Sequence, residues 1–227
     1  MKKNSINVVI RVAMGLLLWF AVTMAFSKLV VPILPVNMPE VIKLVLAQMV
    51  VPYTVGLGLF YLVAGKMEVK ELQSEQKITI GLIIKSLLIQ QLCAMPVMAV
   101  INIITIKLGG ELAGVAMAES ILGPNWLFYA VLLLIFNPIF EEFLFRKLAL
   151  DRLLVLGKRE AIIISAILFA LPHAISQGIA QMCGTFIIAL VWANIRVKTG
   201  KLWPCILLHS FFNFFSGYLV LALTKFG

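Results

Sequence analysis

The chain has 227 residues, 62% of them hydrophobic and 13% charged, where an ordinary soluble domain is roughly 45–50% apolar and about 25% charged. With a mean hydropathy of +1.07, this excludes a soluble globular domain, a disordered chain and a secreted disulfide scaffold. The net charge of +9 does not point to nucleic acid, because Lys and Arg are scattered between apolar runs, as in the cytoplasmic loops of membrane proteins.

At about 20 apolar residues per crossing, the length leaves room for roughly six to eight spans and no sizeable soluble domain. Seven apolar segments are expected, over about 8–31, 41–64, 78–106, 125–150, 160–175, 178–195 and 202–224. The first follows Met1-Lys2-Lys3 but is too long for a signal h-region and has no A-x-A site, so it is expected to be a retained anchor. Pro32, Pro35 and Pro39 punctuate the loop after it. Residues 65–77 and 107–124 are expected to be loops or interfacial helices. The short fifth and sixth segments meet at the polar Ser176 and Gln177 and are expected to form a bent or partly re-entrant pair. No internal repeat or low-complexity tract is present. The fold expected is therefore all-α, a polytopic membrane protein of about seven transmembrane helices with a polar site buried between the C-terminal helices. One integral membrane domain covers 1–227, its N-terminal spans lying in 1–124.

Fourteen basic residues flank one side of these segments: Lys2, Lys3, Arg11, Lys66, Lys70, Lys77, Arg146, Lys147, Arg152, Lys158, Arg159, Arg196, Lys198 and Lys201. The other side has Lys43, Lys107 and Lys225. The positive-inside rule places the N-terminus in the cytoplasm and, with seven spans, the C-terminus outside. Cys93, Cys183 and Cys205 lie in apolar stretches without CxxC spacing, so they are expected to be inert buried thiols, with no disulfide framework or metal cluster.

Ionisable groups inside spans mark functional sites. The run Asn137-Pro138-Ile139-Phe140-Glu141-Glu142-Phe143-Leu144-Phe145-Arg146 holds two adjacent carboxylates in apolar surroundings. Neighbours on a helix point about 100° apart, so the two glutamates have different roles. Arg146 shares a face with Glu142, and their pairing would offset the burial of either charge. Glu141 is then free to face a polar cavity. The alternative is that both glutamates sit at a helix end in water. The two histidines, His173 and His209, are the only ones in the chain. Pro172 weakens the helix beside His173 and frees a carbonyl. His209 and Asn213 are four apart and face the same way. Counting about 1.5 Å per residue from the cytoplasmic ends, His173, His209 and Glu141 all fall in that half of the bilayer or near its midplane.

Such a set suits hydrolysis. A Glu in a partly dry pocket can act as general base on water, and a neutral His can relay the proton. A second His and an Asn amide can hold an oxyanion, and a peptide bond is the natural electrophile. HExxH, GxSG and paired GxGD motifs are absent from the sequence. Two His and one Glu are also a legitimate zinc set, and a buried Glu with His can serve a proton-coupled transporter. The transporter ranks last, because the polar residues are concentrated in the second half and no inverted repeat is evident. A non-proteolytic immunity or scaffold protein is the other alternative. It predicts that Glu141→Ala and His173→Ala would leave biological activity intact.

Three motifs in order carry a resemblance: Glu141-Glu142-x-x-x-Arg146, Phe169-x-x-x-His173 and His209-x-x-x-Asn213. Together with Arg196 to Pro204, which is similar to the family's segment before its last motif, they resemble the CPBP (Abi) family of CAAX prenyl proteases and bacteriocin-processing enzymes. The resemblance covers roughly 125–215, a CPBP-like catalytic core. It implies an intramembrane glutamic endopeptidase that uses no metal or other cofactor. In it Glu141 and His173 activate water, His209 and Asn213 hold the oxyanion, and Glu142 and Arg146 support the site. The implied partners are the lipid bilayer and a peptide or a lipidated, membrane-anchored protein substrate, with no nucleic acid. The short, loop-poor, Lys-rich chain looks bacterial. The resemblance therefore leans towards peptide processing or bacteriocin self-immunity in a bacterial cell membrane.

Overall fold

A computed structural model of the chain describes the backbone of residues 2–110 and 121–219 and side chains from residue 5. Among the described residues the chain is all-helical, without strands. Five helices are long and apolar enough to cross a membrane: α1 (Ser5–Ile33), α2 (Glu40–Ala64), α3 (Ile80–Lys107), α4 (Trp126–Leu156) and α5 (Lys158–Thr199). A shorter helix, α6 (Trp203–Phe212), winds on as a π-type stretch over Asn213–Leu219.

Five such helices, rather than seven, follow from two departures. The expected fifth and sixth segments are counted together in α5, as two arms joined at Gly178. The expected seventh segment, 202–224, is described only as far as Leu219 and is too short there to count. Its end, and most of the connection expected over 107–124, lie outside the described residues.

A straight helix of 42 residues would hold its ends about 63 Å apart. The ends of α5 instead meet at one residue. Lys158 pairs with the Glu75 carboxylate, while the backbone N–H groups of Glu75 and Gln76 donate to Lys198 O at 2.9 and 3.0 Å. The helix therefore doubles back. It does so at Gly178, with φ 87° and ψ 174°, a conformation reserved for glycine and adjacent to the Ser176–Gln177 patch. Its arms are residues 158–177 and 179–199.

Two compact units divide the chain. In the first, Met1–Lys70 with Arg152–Gly157, α1 and α2 pack at glycine distance: a Cβ on Gly56 would come within 2.7 Å of the Trp19 ring. Small residues allow this approach between membrane helices. Two cations answer the open carbonyls at the end of α2. Arg11 donates to Val63 O at 2.6 and 2.9 Å, and Arg152 donates to Ala64 O at 2.8 Å. In the second unit, Glu71–Asp151 with Lys158–Gly227, α3 lies along α5, where a Cβ on Gly184 would collide with the Met98 side chain. Asp151 near the end of α4 holds Arg196 near the end of α5 at 2.8 Å. The end of α4 and both ends of α5 therefore lie at one end of this unit.

Candidate active site

The site is built from residues of α3, α4, both arms of α5 and α6 that all belong to the second unit. Helix α4 runs on past residue 150 to Leu156, which places Glu141 about 22 Å from its end. Just after Glu142 the winding loosens to a π-type stretch over Phe143–Leu150, a local widening frequent at functional sites.

Glu142 and Arg146 are fully buried, with Arg146 Nε 3.1 Å from Glu142 Oε2. The contact is an ion pair by distance, its N–H off the hydrogen-bond line. Arg146 therefore lies buried beside Glu142 rather than in the basic loop with which it was counted. Its guanidinium lies over the Phe169 ring, 4.7 Å from the centroid, an arrangement that stabilises a desolvated cation. Its Nη1 donates to Ser165 Oγ at 3.4 Å.

Glu142 has a second partner that the motif spacing did not reveal. His209 Nδ1 donates to Glu142 Oε1 at 3.1 Å, which turns His209 Nε2 towards Glu141, 3.9 Å from Oε2. Glu141 is partly open, at 18% exposure against 0% for Glu142. The adjacent carboxylates thus occupy different surroundings, as their angular offset requires. His173 Nδ1 donates to Phe169 O at 3.1 Å, so in the neutral ring Nε2 is the free acceptor. Asn213 Nδ2 donates to Leu133 O at 2.8 Å, leaving its second amide hydrogen available.

Glu141, His173, His209 and Asn213 line a single cavity of about 230 Å³, together with Asn137, Gln177 and Gln181. Glu142 and Arg146 stand behind it. Among the described residues, no three His, Cys, Asp or Glu side chains are grouped so as to hold a metal ion.

One contributor lies outside the motifs. Gln90 of α3 is fully buried. Its Oε1 accepts from Trp192 Nε1 at 2.8 Å, and its Nε2 donates to Leu208 O at 3.1 Å. Trp192 in turn stacks on His209. The polar machinery is therefore not confined to the second half of the sequence. The signal available was the Gln90-Gln91 pair interrupting the third apolar segment.

Residues 123–215 match the family model of Rce1-like proteins, described as type II CAAX prenyl endopeptidase Rce1-like. The match is consistent with the CPBP family and spans all three motifs, from just before α4 to just after Asn213; Gln90 lies outside it. No curated protein and no solved structure matches the chain.

Proposed function

We propose that the protein is an intramembrane endopeptidase that hydrolyses small or membrane-associated peptides with water activated by Glu141 and His173. The observation carrying this reading is the convergence of Glu141, His173, His209 and Asn213 on one cavity, within a segment that matches an endopeptidase family.

Glu141 accepts a proton from water as the water oxygen attacks the scissile carbonyl carbon. His173, its Nδ1–H held by Phe169 O, offers Nε2 to the same proton. The carbonyl electron pair moves onto oxygen, and the resulting oxyanion needs donors. His209 Nε2, turned into the cavity by the Nδ1–Glu142 contact, donates to the oxyanion when that nitrogen carries a proton. The second amide hydrogen of Asn213 completes the oxyanion site. Collapse of the intermediate breaks the C–N bond, and the departing amine takes the proton held by Glu141 and His173. Arg146 pairs with Glu142 and holds it in place. The sequence requires no Lewis acid.

The basic flanks favour a cytoplasmic N-terminus, and the apolar segments, with the arms of α5 counted separately, fit seven crossings. A bacterial cell membrane and a role in peptide processing or bacteriocin self-immunity fit the short, loop-poor chain.

The test is a comparison of the membrane peptidomes of wild-type and Glu141→Ala cells, followed by hydrolysis of any differing peptide by the purified protein in detergent. A peptide cut only by the wild type supports the reading. Identical peptidomes, with no hydrolysis by purified protein, would overturn it.

A further inference from the structure

Three carboxamides on the cavity wall take no part in the mechanism above: Asn137, Gln177 and Gln181. All are half-buried, and no side-chain hydrogen bond to protein is made by any of them among the described residues. An amide within a membrane span is unfavourable unless its donor and acceptor find partners, and these groups are open to an occupant that supplies both.

Their placement is ordered. Asn137 is one turn before Glu141 on α4, and Gln177 is one turn after His173 on the first arm of α5, so each shares a face with a water-activating residue. The end of α4 and both ends of α5 lie together. Both carboxamides are therefore displaced from the catalytic residues in the same direction, away from that end. Gln181 joins them from the second arm, just past the Gly178 reversal. The cavity, at about 230 Å³, is smaller than the roughly 300–1,000 Å³ that encloses a whole small ligand. A ligand of ordinary size seated here therefore continues beyond it. A peptide main chain has this chemistry: an N–H and a C=O at every residue, and a chain that runs on.

We propose that Asn137, Gln177 and Gln181 form a clamp that hydrogen-bonds the backbone of an extended peptide segment and sets its scissile carbonyl against Glu141. The clamp rests on the peptidase reading above and names its substrate class: a chain unfolded at the cleavage point and read by its main chain rather than by one side chain.

The test uses the full chain in detergent, an internally quenched peptide that it cleaves, and a series of that peptide carrying one backbone N-methyl group at each position. Loss of one net hydrogen bond corresponds to about 3- to 10-fold in affinity. Gln177→Met and Gln181→Met are expected to raise KM by that factor with kcat within about twofold. The N-methyl series should show a sensitive position in the wild type that a Met variant no longer senses. An unchanged KM, or a methyl series without a sensitive position, would overturn the clamp; the latter requires no variant to fold. Peptide binding to Glu141→Gln protein, followed by fluorescence anisotropy, separates the two readings. Binding weakened by Gln177→Met while the wild type cleaves nothing supports the clamp and sinks the peptidase. Cleavage indifferent to Gln177→Met and Gln181→Met does the reverse. Absence of binding in every form overturns the clamp.

Discussion

The Trp192 indole lies flat against the His209 ring, centroids 4.3 Å apart and planes 21° from parallel. Glu142 holds the edge of the same imidazole through Nδ1, and Phe169 meets it at 90°. His209 is thus fixed in position by a stack, in rotation by a carboxylate and in tilt by an aromatic edge. The stack itself hangs on Gln90, the acceptor for Trp192 Nε1–H.

Replacing Gln90 with Leu leaves the Trp192 N–H buried without its acceptor and removes the Gln90 donor from the Leu208 carbonyl. An unsatisfied buried group costs about 1–3 kcal/mol. The expected outcome is a lower melting temperature in detergent, and a kcat that falls more than KM rises, because His209 loses its orientation while the cavity wall stays in place. Kinetics on a cleaved peptide, with the fluorescence spectrum of Trp192, check this. A kcat equal to wild type would remove Gln90 from the site.

Arg146→Ala strands the Glu142 carboxylate, and breaking a buried pair costs about 3–5 kcal/mol. Lost abundance and stability are expected rather than a clean rate defect. Replacing both partners with apolar residues should recover much of the stability but not the activity, since His209 then lacks its Glu142 acceptor. Normal expression of Arg146→Ala with a pure rate loss would contradict the supporting role.

Glu141→Ala should be close to inactive while folding normally. Asn213→Ala should retain slow turnover, because removal of one oxyanion donor costs on the order of 100- to 1,000-fold in rate. Activity should survive exhaustive chelation. Loss on chelation and recovery with added zinc would replace the glutamic mechanism with a metal one.

Gly178→Ala places a Cβ where φ is 87° and ψ 174°, and strain of this kind costs about 1–3 kcal/mol. Because His173 and Gln177 precede the reversal and Gln181 and Trp192 follow it, the two arms should lose register along with stability. Thermal unfolding in detergent measures the first effect, and an engineered cysteine pair across the arms reports the second.

The sequence showed what is local in the chain. The Glu142–Arg146 contact and the shared face of His209 and Asn213 follow from helical spacing, and the apolar runs foretell helices. What it hid is long-range. His209 and Glu142 are 67 positions apart, and Gln90 and Trp192 are 102 apart; no periodicity within one helix encodes such pairs. The reversal in α5 was signposted by Ser176 and Gln177 as a polar joint. The ends of the two arms meet beside Glu75, a loop residue whose charge alone names no partner.

The chain order of the site has a consequence for how the protein is made. Gln90 is synthesised first, then Glu141, Glu142 and Arg146, then His173 and Trp192, and His209 with Asn213 last. On the proposed reading, a chain translated only as far as His173 holds the water-activating pair without the oxyanion donors. Such a chain carries half of the chemistry, and the site is complete only when α6 joins the helices made before it.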